Sequence, residues 1–194
     1  MKKIGLTGGI GTGKTYVSEI FERLNIPVFN SDTYAKQCLS NDKSLIEKLK
    51  KEFGNAIYDG DLLQKEVLSN IVFNDSNSLE KLNRLVHPLV NEKFKSWCDL
   101  QDDAPFVVKE AAILFESGAH LDLDAIICVS CPEEIRIKRI KQRDNISTDL
   151  IQKRINSQMA QDKKEQISDF IIVNDDKELL VPQIIEIINQ LKNS

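Results

Sequence analysis

Residues 5–16 read GLTGGIGTGKTY and hold five of the eight glycines in a 194-residue chain. Glycine has no side chain to pack and weakens helix and strand interiors, so a cluster this dense marks a place where bare backbone is needed. Gly8, Gly13, Lys14 and Thr15 fit the pattern G-x-x-x-x-G-K-[ST], and the flanks are the ones that pattern requires. Before it stands a short β-branched run, KKIGLT (2–7). After it, Val17, Ile20, Phe21 and Leu24 recur at i, i+3, i+4 and i+7, one apolar helical stripe. Glycine amides in such a loop can converge on phosphate oxygens because no Cβ obstructs them. The positive end of the following helix faces the same anion. The loop therefore predicts a nucleoside triphosphate site contacted by Gly8, Gly9, Gly11, Thr12, Gly13, Lys14, Thr15 and Tyr16. Lys14 reaches the β- and γ-phosphates, and the Thr15 hydroxyl is a ligand for Mg²⁺.

Outward from the loop, four more short Ile/Val-rich runs read as strands: IPVF (26–29), FVVK (106–109), AIICVS (125–130) and DFIIV (169–173). A C-terminal helix shows in Val181, Ile184, Ile188 and Leu191, with Pro182 tolerated in its first turn. Strands alternating with helices predict a parallel sheet covered on both faces. The expected fold is α/β, a three-layer P-loop sandwich with a five-stranded parallel sheet, forming one domain over residues 1–194. Two long polar helical stretches, 33–100 and 132–166, interrupt the alternation after strand ends, where open α/β sheets bind ligands.

The hydrophobic share of 41% and charged share of 29% suit a water-soluble globular chain, and the net charge of −4 argues against nonspecific nucleic-acid binding. No apolar run is long enough for a membrane span, and Gly5, Gly8 and Gly9 interrupt any N-terminal leader. A cytoplasmic location is expected, with no membrane or nucleic-acid partner. Cys128 and Cys131 form a C-x-x-C inside an apolar run. With no second pair or paired histidines to complete a metal site, they read as buried thiols, with a redox pair as the alternative. An N-K-x-D guanine signature is missing: NDDK (174–177) has the wrong order. A core with two polar insertions suits a small kinase with an acceptor-binding part and a lid. The rivals are a nucleoside-monophosphate or other small-molecule kinase, a nucleotide-dependent switch, and a noncatalytic nucleotide-binding scaffold.

Several segments taken in order carry a further resemblance: IGLTGGIGTGKT, NSDTYAK, LVHPLV, LFESG, KRIKQRD, RINSQM and SDFIIVND. The chain resembles the dephospho-CoA kinase family over almost its whole length. That likeness implies ATP and dephospho-CoA as substrates, 33–100 as the acceptor-binding segment and 132–166 as the lid. There are departures. Asn30 stands where the family usually has aspartate, and EAAILFE (110–116) puts Glu110 and Ala112 in place of an aspartate and a proline.

The resemblance assigns Asp32, the remaining acid of NSD, to the acceptor site, where it aligns or deprotonates the attacking hydroxyl. By composition alone, Ser31, Asp32 and Thr33 are equally good helix caps. His87, before Pro88, is a substrate contact by resemblance and a break between two helices by local chemistry. Leu114 and Phe115 are expected to wall an acceptor pocket and Glu116 to bond polar substrate groups, or else the stretch starts a helix with Glu116 in its first turn. His120 has no supporting pattern and reads as surface. Arg136, Arg139 and Arg143 share a helical face. That face is either solvated or a lid that brings guanidinium groups over the phosphates; the resemblance points to Arg139 and Arg143, with Arg139 first. Asn174, at the end of the last strand, is a contact for the nucleotide base or a turn residue.

Overall fold

A computed structural model of the chain describes residues 1–101 and 104–193. The chain divides into two compact units, Met1–Asn30 with Leu100–Ser194, and Ser31–Asp99. The first holds the parallel sheet of β1 (Lys2–Thr7), β2 (Val28–Asn30), β5 (Phe106–Glu110), β6 (Ala125–Ser130) and β7 (Phe170–Val173), in the order β2-β5-β1-β6-β7. All pairings are parallel, so the expected α/β sheet is the one observed. The second strand begins at Val28, two residues later than its apolar run suggests, and Ile26 is buried in the turn before it.

Each face of the sheet has its own cover. Ile4 and Leu6 of β1, Phe106 and Val108 of β5, Ile127 and Val129 of β6 and Ile172 of β7 pack on α1 (Lys14–Arg23) and α9 (Leu180–Asn193). The helical contribution is Val17, Ile20, Phe21, Ile184, Ile187, Ile188 and Leu191. The period of two along strands and of three to four along helices places all of these on one surface. On the other face Ala111, Leu114, Phe115 and Ile126 form a second cluster with Leu123 and Met159. A side chain at Gly5 would run into Leu114 and Leu123, which is why β1 carries glycine at its centre. Three further helices, α6 (Glu133–Asp144), α7 (Thr148–Asn156) and α8 (Gln161–Gln166), lie between β6 and β7. With β5 and β6 on opposite sides of β1, the loop after β1 opens at the point where the chain's winding reverses, the place where open α/β sheets bind ligands.

The second unit is mainly helical: α2 (Ser31–Asn41), α3 (Lys43–Phe53), α4 (Lys65–Asn74) and α5 (Ser76–Cys98). It also holds a two-residue antiparallel pair, β3 (Tyr58–Asp59) with β4 (Leu62–Leu63), which the charged composition of this stretch hides. Its buried residues include Leu45, Ile46, Leu49, Ile57, Val86, Val90 and Phe94.

The break expected at His87–Pro88 does not occur. The 23-residue α5 runs through it with Pro88 inside. Proline removes one N–H and crowds the preceding turn. Here Val86, Val90 and Phe94 stay buried at four-residue spacing on either side, and that anchoring carries the helix past the defect. Among the described residues, no helix is long and apolar enough to cross a membrane.

Candidate active site

The phosphate-binding geometry begins at Gly13. This residue caps α1 in the left-handed region (φ 90°), with no side chain of its own to satisfy the first-turn amides. A Cβ there would collide with the side-chain amide of Asn174, which donates to Thr12 O at 2.8 Å. Only glycine meets both the backbone and the steric demand. Gly8 and Gly11 also take positive φ values, 145° and 83°. Lys14 is 8% exposed, and its ammonium folds inward to donate to Gly8 O at 2.8 Å and Gly9 O at 3.4 Å. The Thr12 hydroxyl donates to Gly9 O at 2.9 Å and closes the loop on itself. Tyr16 lies exposed in the first turn of α1.

Beneath the start of α1 lies Glu110, 4% exposed at the end of β5. Its carboxylate accepts from Thr15 Oγ1 at 3.5 Å, Ser18 Oγ at 3.2 Å and Asn30 Nδ2 at 2.6 Å. The carboxylate and two hydroxyls are hard oxygen donors of the kind Mg²⁺ prefers, so this corner fits the metal that accompanies a nucleotide. Asn30 also donates where an aspartate would repel Glu110.

Of the arginines on α6, Arg139 holds the last strand against the loop. It donates to Thr12 O at 3.3 Å and to Asn174 O and Oδ1 at 3.2 Å each, and it pairs with Asp176. Asn174 is therefore buried beside the loop. Arg143 donates instead to its neighbour Asp144, at 2.7 and 3.0 Å. Asp144 also accepts from Arg154 at 2.8 Å, and the adjacent Arg143 holds its carboxyl below the usual range.

Sequence reasoning passed over several residues at this site. Arg136, read only as one of a row, is the arginine closest to the loop, with Nε donating to Ile10 O at 2.9 Å. Two glutamines reach the loop's amides: Gly9 N donates to Gln161 Oε1 and Ile10 N to Gln158 Oε1, both at 2.8 Å. In the sequence Glu110 stands out only as a departure from a motif, and nothing local singles out Lys164. Gln158 lies in the RINSQM segment, so a signal was present, but nothing in spacing alone reveals a contact 148 residues away.

The segment after β5 is a run of turns rather than a helix start. Leu114 and Phe115 are buried in the second cluster. Glu116 accepts from Met159 N and from Lys164 Nζ, each at 2.8 Å. Lys164 is fully buried and also donates to Ala112 O at 2.7 Å. His120, expected on the surface, is half-buried with its ring 5.1 Å from that of Phe115. None of the four cysteines is in a disulfide, and all are buried. Burial raises the Cys128 thiol to about 11 and raises Cys131 as well, the reverse of an activated redox pair. In the second unit Asp32 is exposed in the first turn of α2, and His87 lies half-buried in α5.

The strand order, the glycine loop and its inward lysine define a P-loop kinase fold. A shikimate kinase from Acinetobacter baumannii shares that fold at 14% identity, with a TM-score of 0.53 over 98% of this chain and 92% of the other. The profile of the dephospho-CoA kinase family matches residues 2–179. A dephospho-CoA kinase from Bacteroides fragilis is 38% identical, covering 96% of this chain and 91% of its own. One from Porphyromonas gingivalis is 34% identical, covering 99% and 95%. The structure of a dephospho-CoA kinase from Campylobacter jejuni superposes with a TM-score of 0.69 at 26% identity over 98% of this chain and 97% of that one. The chain belongs to the dephospho-CoA kinase family, and it is a kinase with ATP as co-substrate.

Proposed function

We propose that the chain transfers the terminal phosphoryl group of ATP to the ribose 3′-hydroxyl of dephospho-CoA, giving ADP and CoA. The observation that carries this reading is the glycine loop with Gly13 left-handed at the head of α1 and Lys14 turned inward, in a chain whose family shares that chemistry. Residues Gly8 to Tyr16 receive the polyphosphate. Lys14 leaves the Gly8 and Gly9 carbonyls for the β- and γ-phosphate oxygens, where its charge offsets what spreads over the transferring group. Thr15, with Glu110 beside it, would hold Mg²⁺, which when bound neutralises phosphate charge. Asn174 and Arg139 border the nucleotide, and Arg143 is a further lid cation.

Asp32 aligns the 3′-hydroxyl for in-line attack, its exposed carboxyl oxygens accepting a hydrogen bond from that hydroxyl. His87 and the Leu114–Glu116 stretch contribute to the acceptor side, with residues 33–100 forming that part and 132–166 the lid. Closure of the lid excludes water, which would otherwise take the phosphoryl group.

The test is direct. Purified protein is incubated with Mg-ATP and dephospho-CoA, and the product is read by mass. A gain of one phosphate on dephospho-CoA, with none on nucleoside monophosphates, supports the reading; acceptor-independent hydrolysis alone rejects it. Asp32→Asn is expected to lower kcat by about 10²-fold or more with little change in ATP affinity. An unchanged kcat removes Asp32 from the chemical step.

A further inference from the structure

Arg136 is a charged side chain that is 3% exposed, and burying a cation is costly unless an anion meets it. Its only hydrogen bond among the described residues runs from Nε to Ile10 O at 2.9 Å, and none of their carboxylates forms an ion pair with it. The two terminal nitrogens are left over. One of them lies directly over Gly9: a Cβ on that glycine would stand 2.5 Å from Nη2 and 3.0 Å from Cζ. At the same place the Gly9 and Ile10 amides donate to Gln161 Oε1 and Gln158 Oε1. That Gly9 Cβ position is also 3.1 Å from Gln161 Oε1, so guanidinium and glutamine oxygen converge on one point of the loop.

Two convergent backbone amides and an uncompensated guanidinium make a receptor for a tetrahedral oxyanion. In this structure two neutral carbonyl oxygens fill it. Gln161 is held there by its own amide, which donates to Val129 O at 3.1 Å and Glu165 Oε1 at 2.7 Å. Arg136, Gln158 and Gln161 all line one cavity of about 760 Å³ that Glu133 and Glu165 also border, so there is room for the glutamines to swing away. Glu165 is engaged by Gln161 until that happens.

We propose that Arg136, with the amides of Gly9 and Ile10, forms the subsite for the terminal phosphoryl group of the nucleotide, and that the side-chain oxygens of Gln158 and Gln161 occupy it until ATP displaces them. This rests on the kinase reading and adds two elements to it: a phosphate-binding arginine other than Arg139 or Arg143, and a built-in competitor. A uniform electrostatic role for Arg136 would favour ATP and ADP alike. A terminal subsite favours ATP alone, because ADP has no group to place there.

The experiment is calorimetric titration of Mg-ATP and Mg-ADP into the wild-type chain, Arg136→Met, Arg136→Lys and the double variant Gln158→Ala/Gln161→Ala. Arg136→Met is expected to weaken ATP about tenfold or more while ADP changes by less than about threefold, and Arg136→Lys to fall between. The double glutamine variant is expected to bind ATP about three- to tenfold more tightly, with ADP unchanged, because a competitor for the amides is gone. If Arg136→Met weakens both nucleotides equally, the arginine only props the loop and the proposal fails. It fails too if the glutamine variant binds ATP no better than wild type. Should Arg136→Met not fold, Arg136→Lys and the glutamine variant decide by the same comparisons. Neither titration involves the acceptor, so loss of the dephospho-CoA reading would show separately, as absence of CoA in the wild-type assay.

Discussion

Cys128 shows how one residue's surroundings set its chemistry. The thiol is fully buried in β6, and burial raises it to about 11 from an ordinary value of 9.0. The sign follows from linkage. Below about pH 9 the group is neutral in both folded and unfolded chains, and its contribution to stability is intact. Between about 9 and 11 only the unfolded chain ionises, so stability is lost across that window, by about 2–3 kcal/mol in all. Urea unfolding of Cys128→Ala at pH 8, 9.5 and 11 is expected to show a smaller fall than wild type. An equal fall in the two chains would contradict the burial argument. The C-x-x-C spacing had allowed a redox reading; the buried strand position of Cys128 answers it. Lys14, Gly13 and Thr15 were legible from sequence because a local motif fixes their neighbours within eight residues. Glu110, Gln158 and Gln161 were not, since their partners lie 80 to 152 residues away.

Helix ends and interruptions are local features with measurable worth. Asp42 caps α3 by accepting from Leu45 N at 3.0 Å. Asp42→Ala leaves that amide to water, and the expected loss is about 1 kcal/mol, read as a lower urea midpoint with unchanged slope. The β-branched strands and the apolar stripes of α1 and α9 were readable for the same reason as the cap: each depends on residues within one or two turns. The passage of α5 through Pro88 was not. The local rule counts the missing N–H, whereas the burial of Val86, Val90 and Phe94 that outweighs it belongs to tertiary packing. The β3–β4 pair is similarly quiet in sequence, because four residues are too few for a period to register.

Across the folded chain, one buried cation ties distant segments together. Lys164 of α8 is 0% exposed and donates to Ala112 O and to Glu116, joining α8 to the turns after β5. Removing one partner of a buried pair costs more than the pair contributes, because the other is stranded. Glu116 keeps a side-chain exposure of 24%, which tempers the penalty. Lys164→Met is expected to lower unfolding free energy by about 2–4 kcal/mol by urea titration, with Lys164→Met/Glu116→Gln recovering part of it. A single-variant effect below about 0.5 kcal/mol would mean solvent already screens the pair. By itself the sequence determined the class of fold, the phosphate loop and the family, because those are written in short-range periodicity and in a motif whose residues are neighbours. Only the tertiary structure decided that Arg136 joins Arg139 at the loop, what sits on the Gly9 and Ile10 amides, and where Glu116 spends its charge. Those outcomes depend on chain closure between segments more than a hundred residues apart or on burial, and neither leaves a local trace.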